Sequence, residues 1–261
     1  MIKFINDIVV HWHILEVRIW SDIKSTVVGT RFGYIWWVLD PIFMMLIYYY
    51  VVHIVLSRGG PDYAYFLLTG LIGWQWFTRS FNLGVAAFTR NSGLIQINPS
   101  PLGHYILSPI LVHLFFAVIG FFFVTLLIDP MNLLFWPGLI FILITQLLLT
   151  FGLCCFFAVL NVFFRDTVKL FDYILRALMF FSPILYAPER VLEAPSIPQW
   201  LKILFQLNPF ATLIPAYRDV ILHASFGINF ETLLLSVISI VLVQLGLMFL
   251  RNFQNRIIQA L

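Results

Sequence analysis

The uncharged stretch LGHYILSPILVHLFFAVIGFFFVTLLI, residues 102–128, decides the fold class of this sequence. A helix needs about 20 apolar residues to cross the ~30 Å hydrocarbon core of a bilayer, and this stretch is longer than that. Residues 133–164 and 232–250 are also free of acidic and basic side chains, and the tight break Asp129-Pro130-Met131-Asn132 precedes the first of them. These three stretches therefore predict three membrane-spanning helices.

The composition of the whole chain agrees with a location in a membrane. Only 10% of the 261 residues are charged, 61% are hydrophobic, and the mean hydropathy is +0.96. Soluble domains average roughly 25% charged residues, so the surface of this chain would not stay solvated in water. The net charge of +3 does not indicate a nucleic-acid partner, because a small excess of Lys and Arg in a membrane protein usually reflects positive charge kept in the cytoplasm.

Three less uniform stretches complete a set of six predicted spans. Residues 32–56 are interrupted by Asp40-Pro41 and His53, residues 63–89 carry Arg79, and residues 167–186 carry Lys169, Asp172 and Arg176. With six spans both termini lie on one side, and a cytoplasmic location for both places more Lys and Arg inside than outside. We expect an all-α membrane protein in which residues 1–261 form a single transmembrane domain, with spans one to five in 32–186 and the last span and a cytoplasmic tail in 231–261.

The N-terminal segment, residues 1–30, has a different character from the spans. Its charge density is too high for a span, and it lacks the compact apolar region and cleavage site of a signal peptide. Between Ile2 and Trp20 apolar residues recur at helical spacing. This pattern predicts an amphipathic interface helix that lies on the cytoplasmic surface of the membrane.

The segment before the last span, residues 187–230, combines several prolines with apolar runs. The runs Trp200–Leu207 and Phe210–Leu222 are too apolar for a solvated loop and too short to span the membrane. Two short helices that re-enter the membrane from the outer side reconcile both facts, since non-helical backbone is tolerated at membrane depth against protein or a water-filled cavity.

Motifs for nucleotide, metal or nucleophilic chemistry are missing from the sequence. No glycine is followed by lysine, which excludes the GxxxxGK[ST] phosphate loop, and neither HExxH nor GxSxG occurs. We therefore predict no catalytic, cofactor-binding or metal-binding residue. An enzyme without a recognisable motif is not excluded by this argument.

Two arginines within predicted spans are candidate functional residues, because burying an ionisable group in a membrane is costly without a partner. Arg79 and Arg176 either line a polar substrate path or gate, or have structural roles. In the structural alternative Arg79 extends to the inner headgroups and Arg176 forms an ion pair. Asp40 is near enough in depth to pair with either arginine.

Aromatic residues form 18% of the chain and supply further candidates for the substrate path. Aromatic faces stack on sugar rings, and Tyr and Trp also offer a hydrogen bond. The alternative is a belt of aromatic side chains at the membrane interface. The candidates for a path-facing role are Tyr48, Tyr49, Tyr50, Trp74 and Phe180.

Several phrases occur in the order typical of one family. They are GYIWWVLDP at 33–41, LTGLIGWQWF at 68–77, AVLNVFFRD at 158–166, FSPILY at 181–186, LNPF at 207–210 and YRD at 217–219. In these phrases the chain resembles the ABC-2 type permeases that export O-antigen, capsular polysaccharide or teichoic acid. The resemblance extends over nearly the whole chain.

The resemblance implies a set of partners. Two copies of the permease would pair around a central channel in the bacterial inner membrane, and each would bind a separate ABC ATPase subunit. That partner would bind ATP and Mg, so this chain would bind no cofactor itself. The substrate would be a lipid-linked polysaccharide.

The resemblance also implies roles for particular segments. The loop at 91–101 would be the coupling helix that docks on the ATPase, through Leu94, Ile95, Gln96, Ile97 and Asn98. Family members often have a Lys pair and an aromatic-Pro-Arg sequence there, where this chain has Gln96-Ile97 and Pro99-Ser100-Pro101. The re-entrant helices would form a gate region that includes Asn208, Pro209, Tyr217 and Arg218.

Two other functions fit parts of the sequence. One is an ABC-2 permease for a drug or a simple lipid, which usually has a large outer domain or fewer aromatic residues. The other is a membrane-embedded transferase acting on lipid-linked sugars. A transferase would need an acid or base in or near the membrane, for which Asp40, Asp172 and Asp219 are the candidates.

Overall fold

The computed structural model describes residues 10, 12–27, 33–97 and 101–261, and all regular structure in them is helical. The all-α prediction is confirmed for this part of the chain. The helices are α1 (Trp12–Val27), α2 (Trp36–Tyr49), α3 (Tyr63–Val85), α4 (Ala87–Arg90), α5 (Ser92–Ile97), α6 (Leu102–Ile128), α7 (Trp136–Phe163), α8 (Thr167–Phe180), α9 (Glu189–Leu192), α10 (Gln199–Gln206), α11 (Pro209–Ile221) and α12 (Phe230–Ala260). A 3₁₀ turn (Gly33–Ile35) precedes α2, a π-helical segment (Tyr50–Val55) extends it, and a second 3₁₀ helix (Pro130–Phe135) leads into α7.

Four helical segments among the described residues are long and apolar enough to cross a membrane: Trp36–Val55, Leu102–Ile128, Pro130–Phe163 and Phe230–Ala260. The two other predicted spans differ in extent from the helices observed. The predicted span 63–89 ends as α3 at Val85, after which α4 begins, and the predicted span 167–186 ends as α8 at Phe180. The total of six spans therefore stays a prediction.

Helix α3 lies at the centre of the molecule and packs against α2, α6, α7 and α11. Glycines on its surface permit this contact. A Cβ added at Gly73 would lie 2.9 Å from Cε2 of Tyr217, and one at Gly70 would lie 2.9 Å from Nη2 of Arg218. The indole of Trp76 donates a hydrogen bond across to the carbonyl of Ile110, with 3.3 Å between the heavy atoms.

Helices α7 and α12 pack along each other through small residues. A Cβ added at Gly246 would lie 2.8 Å from the Cβ of Cys155 and 2.9 Å from the carbonyl oxygen of Gly152. At Gly152 an added Cβ would lie 3.0 Å from the backbone of Leu242. Lipid tails are as apolar as Leu, so helices in a membrane associate through close packing of this kind rather than through the hydrophobic effect.

Helix α1 docks on α6. The side chain of Leu15 is fully buried, whereas Trp12 and Trp20 are exposed. The carboxylate of Asp22 accepts a hydrogen bond from Ser108 at 2.6 Å, and the guanidinium of Arg18 lies over the ring of Tyr105. Burial lowers the pKa of Arg18, an effect that the nearby Asp22 carboxylate opposes. The helix ends at Val27, inside the segment 1–30 predicted to hold the interface helix, and residues 1–9 lie outside the described residues.

The segment 187–230 contains three short helices. Of these, α10 and α11 match the predicted helices Trp200–Leu207 and Phe210–Leu222 to within one residue at each end. Asn208 caps α11, because its side-chain oxygen accepts a hydrogen bond from the backbone N–H of Phe210 at 3.0 Å, and Pro209 occupies the first turn. The structure thus confirms that these runs are helical, while their entry into a membrane stays a prediction.

Candidate functional site

Arg79 and Asp40 form an ion pair that joins α3 to α2. Their side chains are about one-third exposed, at 33% and 40%. The guanidinium of Arg79 also lies 5.1 Å from the ring centroid of Trp37, and both side chains border a cavity of about 220 Å³ between α2, α3 and α6. Of the two partners that the sequence allowed for Asp40, the structure selects Arg79.

Arg176 has no carboxylate partner among the described residues. It lies on the exposed side of α8, with its guanidinium 5.7 Å from the ring centroid of Tyr173. Asp172, one turn earlier, accepts a hydrogen bond from Asn82 of α3 at 2.8 Å. The structural ion pair considered for Arg176 is thus not formed within the described chain. A role for Arg176 in the substrate path stays a prediction.

The three consecutive tyrosines near the end of α2 have three different surroundings. The hydroxyl of Tyr48 lies 3.6 Å from the sulfur of Met179 and connects α2 to α8. The ring of Tyr49 lies 4.6 Å from that of His53, and Tyr50 is exposed. Helical geometry turns neighbouring side chains about 100° apart, so the three hydroxyls do not form one continuous surface.

The two other aromatic candidates lie in opposite environments. Trp74 is only 4% exposed and makes a T-shaped contact with Phe210 at 5.0 Å, with Phe77 on another side. Phe180 is exposed at the end of α8. Within one copy of the chain Trp74 packs α3 against α11, and only Phe180 presents its ring outward.

The gate residues predicted at α11 form a buried polar cluster. Arg218 is 3% exposed and donates hydrogen bonds to three backbone carbonyls: Nε to Phe66 at 3.2 Å, Nη1 to Pro183 at 2.6 Å and Nη2 to Ile184 at 2.9 Å. Its guanidinium carbon also lies 3.3 Å from the ring centroid of Phe66. Arg218 therefore holds α11 against α3 and against the turn that follows α8.

A second polar cluster joins α11 to α7 and α3. The hydroxyl of Tyr217 donates to Gln146 Oε1 at 2.9 Å, and Gln146 Nε2 donates to the carbonyl of Gly73 at 3.0 Å. At the other end of α11, Asn208 Nδ2 donates to the hydroxyl of Ser182 at 2.9 Å. Sequence reasoning missed Gln146, and the available signal was an amide side chain in the middle of a long uncharged stretch.

The predicted coupling segment forms the short helix α5. Ile95 is 2% exposed and fixes this helix to the rest of the chain. Ile97 is 84% exposed, and Leu94 and Gln96 are also exposed. Asn98 lies outside the described residues. The segment thus presents apolar side chains on its outer surface, and its role in coupling stays a prediction.

A metal site in the part of the chain that the structure describes would require several ligand side chains close together. No group of three His, Cys, Asp or Glu side chains there is close enough to hold a metal ion. Long apolar helices, small-residue packing and buried polar clusters that bind backbone carbonyls together define a multi-pass membrane protein.

Comparison with known proteins identifies the kind of membrane protein. An O-antigen export system permease protein RfbA of Klebsiella pneumoniae is 29% identical over 245 residues, which cover 92% of this chain and 92% of that protein. The protein of the same name from Myxococcus xanthus is 23% identical, with 93% of each chain covered. The polysialic acid transport protein KpsM of Escherichia coli is 24% identical, with 94% of this chain and 95% of that protein covered.

Each of these relatives matches more than nine-tenths of the chain rather than a fragment. No family model matches the chain. The near-complete coverage of permeases for two kinds of polysaccharide confirms the resemblance to the ABC-2 type polysaccharide export permeases.

Proposed function

We propose that this chain is the permease subunit of an ABC exporter that moves a lipid-linked polysaccharide across the bacterial inner membrane. The observation that carries the proposal is similarity over more than nine-tenths of the chain to relatives named as O-antigen export and polysialic acid transport proteins. The apolar helices fit a translocation subunit. The absence of a phosphate loop from the full sequence fits a chain that takes its energy from another subunit.

The partner ATPase would dock on the surface around α5. Ile97 and Leu94 are exposed on this short helix, while the buried Ile95 connects it to the membrane helices. A push on α5 would therefore be transmitted to the core through α4 and the end of α3, which follow one another without a long loop. ATP and Mg would bind to the ATPase and not to this chain.

A second copy of the chain would complete the translocation path. Within the chain, α2 buries only Pro41 and α8 buries only Leu175. Arg176, Tyr50 and Phe180 are exposed on these two helices. Pairing of two copies through α2 and α8 would cover their apolar surfaces, and a two-fold axis would place each of these side chains twice around one path.

In the proposed topology α3 and α8 are the second and fifth of six spans, and both termini are cytoplasmic. α1 would lie on the inner surface, with Trp12 and Trp20 at the level of the headgroups. α10 and α11 would re-enter the membrane from outside. Arg218 and the Tyr217–Gln146 pair support that location, because they supply polar partners to backbone that lipid could not satisfy.

The transferase alternative receives no support from the three carboxylates that it would need. Asp40 is paired with Arg79, Asp172 accepts a hydrogen bond from Asn82, and Asp219 lies 3.3 Å from the ring of His223. Each of the three carboxylates thus already has a partner within the chain.

Deletion of the gene in the source bacterium tests the proposal. We expect surface polysaccharide to disappear and lipid-linked polysaccharide to accumulate inside the cell, with recovery when the gene is returned. Continued surface display in the deletion strain would contradict an export role.

A substitution in α5 tests the partner separately. Ile97→Asp adds a charge to the exposed docking surface and is expected to abolish co-purification of the ATPase. Gln259→Asp adds the same charge to the exposed end of α12 and is the matched control. ATPase binding that is equal in the two variants would exclude α5 as the docking surface.

A further inference from the structure

A cavity of about 610 Å³ lies between the ends of α2, α6, α8 and α11 and the start of α3. One wall is the loop from α2 to α3 together with the first turn of α3, and the opposite wall is the turn after α8 together with α9. The last residues of α6 and α11 close the remaining side. In the topology proposed above, this cavity opens toward the outside of the membrane. Its volume is within the range of roughly 300–1,000 Å³ found for small-molecule sites.

The two main walls are held together by Tyr63. Its hydroxyl donates to the carbonyl of Leu185 across the cavity at 2.7 Å. In the α2–α3 loop, Gly59 has a φ of +95° and lies against the ring of Tyr63, where an added Cβ would be 2.5 Å from Cγ of Tyr63. The amide of Arg58 donates to the carbonyl of Val52 at 3.0 Å. The α2–α3 loop therefore packs on the ring of Tyr63, and these contacts define the shape of the cavity.

Two arginines line this cavity. Arg58 comes from the α2–α3 loop and Arg190 from α9, and both are exposed. Neither forms an ion pair with a described residue. Asp62 is the acidic residue that lines the cavity in the described part of the chain, so the arginines give it a net positive charge.

Three tyrosines line the same cavity as the two arginines. Tyr63, Tyr65 and Tyr186 all line the cavity. Tyr and Arg together suit a sugar that carries an acid group, because an aromatic face stacks on the ring while a guanidinium binds a carboxylate or phosphate through two parallel hydrogen bonds.

From this arrangement we infer that the cavity is a binding site for an oxyanion attached to a sugar, occupied as the glycan leaves the path. The inference rests on the proposed export function. The ligand chemistry is a phosphate or carboxylate between Arg58 and Arg190 with a sugar ring against the tyrosines. In a lipid-linked glycan the acid group has two sources: the phosphates that join the sugar to its lipid, or acidic sugars along the glycan.

Binding measurements on the full-length chain in nanodiscs test this site and distinguish the two sources. The probes are a tetramer of galacturonic acid, undecaprenyl diphosphate, and maltotetraose as a neutral glycan. The test variant is Arg58→Gln with Arg190→Gln. The matched control is Arg251→Gln, which removes one exposed charge from the last helix.

The wild type is expected to bind at least one acidic probe more tightly than maltotetraose. In the double variant the dissociation constant of that probe should rise by about 10-fold or more, while the control changes it by less than about twofold. Preference for the galacturonic acid tetramer assigns the site to acidic sugars. Preference for undecaprenyl diphosphate assigns it to the lipid linkage.

Two results would overturn the inference: acidic probes that bind no better than the neutral one, or equal weakening in the double variant and in Arg251→Gln. Because both arginines are exposed, we expect the variants to elute and melt like the wild type, and the two single variants repeat the test if the double variant does not. Failure here leaves the gene-deletion result untouched, so it is distinguishable from failure of the export function.

Discussion

The buried guanidinium of Arg218 provides the sharpest test of how this fold is held together. It donates three hydrogen bonds to the carbonyls of Phe66, Pro183 and Ile184 and stacks on the ring of Phe66. Arg218→Ala removes all of these contacts at once and leaves three carbonyls without their donor. Lys at this position keeps the charge but replaces the planar fork with a single ammonium, so it cannot reach all three acceptors.

The magnitude of the effect follows from the number of bonds. Side-chain hydrogen bonds in a membrane protein average about 0.6 kcal/mol, so three of them sum to about 2 kcal/mol. Bonds made by a charged donor contribute about 1.5–3 kcal/mol each, which gives an upper estimate of about 5–9 kcal/mol. Even the lower value corresponds to a decrease in melting temperature of about 4–8 °C for a chain of this length.

Thermal unfolding of the purified variants in detergent measures this effect. We expect the melting temperature to decrease in the order wild type, Arg218→Lys, Arg218→Ala, with Arg251→Ala as the exposed control that melts like the wild type. Export is expected to fall with the amount of folded protein in the membrane. If Arg218→Ala melted within about 1 °C of the wild type, the three hydrogen bonds would contribute almost nothing to the stability of the fold. The conclusion that Arg218 holds α11 against α3 would then be refuted.

Two further contacts make separate predictions. Asp40→Arg leaves two cations facing each other between α2 and α3, so we expect a lower amount of the protein in the membrane. Adding Arg79→Asp should restore part of that amount, because the swap recreates the ion pair. If the swapped variant did not recover, loss of the ion pair would not be the cause of the lower amount. Gly246→Ala introduces a Cβ against the backbone of α7 and is expected to lower the free energy of unfolding by about 1–3 kcal/mol. Gly93→Ala, where an added Cβ meets nothing within 4 Å, is the control, and equal melting of the two variants would contradict close packing of α7 and α12.

The sequence predicted the helices whose ends carry a chemical signal. Helix α6 matches the prediction at both ends, because Pro101 precedes it and Asp129-Pro130 follows the uncharged run. The end of α3 had no such signal. Neither a charge nor a proline occurs between Arg79 and Arg90, so the break at Ala86 was not visible in the composition.

The buried polar clusters could not be predicted from sequence patterns, for a different reason. Arg218 was selected as a gate residue, but its three acceptors are backbone carbonyls, one in α3 and two in the turn after α8. Every residue has a backbone carbonyl, so the sequence does not indicate which ones accept a hydrogen bond from Arg218. Gln146 joins Tyr217 to Gly73 across three helices that are more than 70 residues apart in the chain. Such a contact follows from how the helices cross and not from any local pattern.

The distribution of these clusters bears on which helices move during transport. Buried hydrogen bonds connect α11 to α3 and α7, and close glycine contacts connect α7 to α12, so these four helices form a rigid unit. By contrast, α2 contacts α3 of this unit through a partly exposed ion pair. Helix α8 contacts α3 through one amide–carboxylate hydrogen bond and through the ring of Phe171, which lies 5.0 Å from that of Phe81. Breaking buried polar contacts costs more than sliding exposed apolar surfaces past each other. We therefore expect α2 and α8 to shift against the rigid unit when a glycan passes. Cross-linking a cysteine pair introduced at Asn82 and Asp172, which joins α8 to α3, should then inhibit export more strongly than a cross-link placed between α7 and α12.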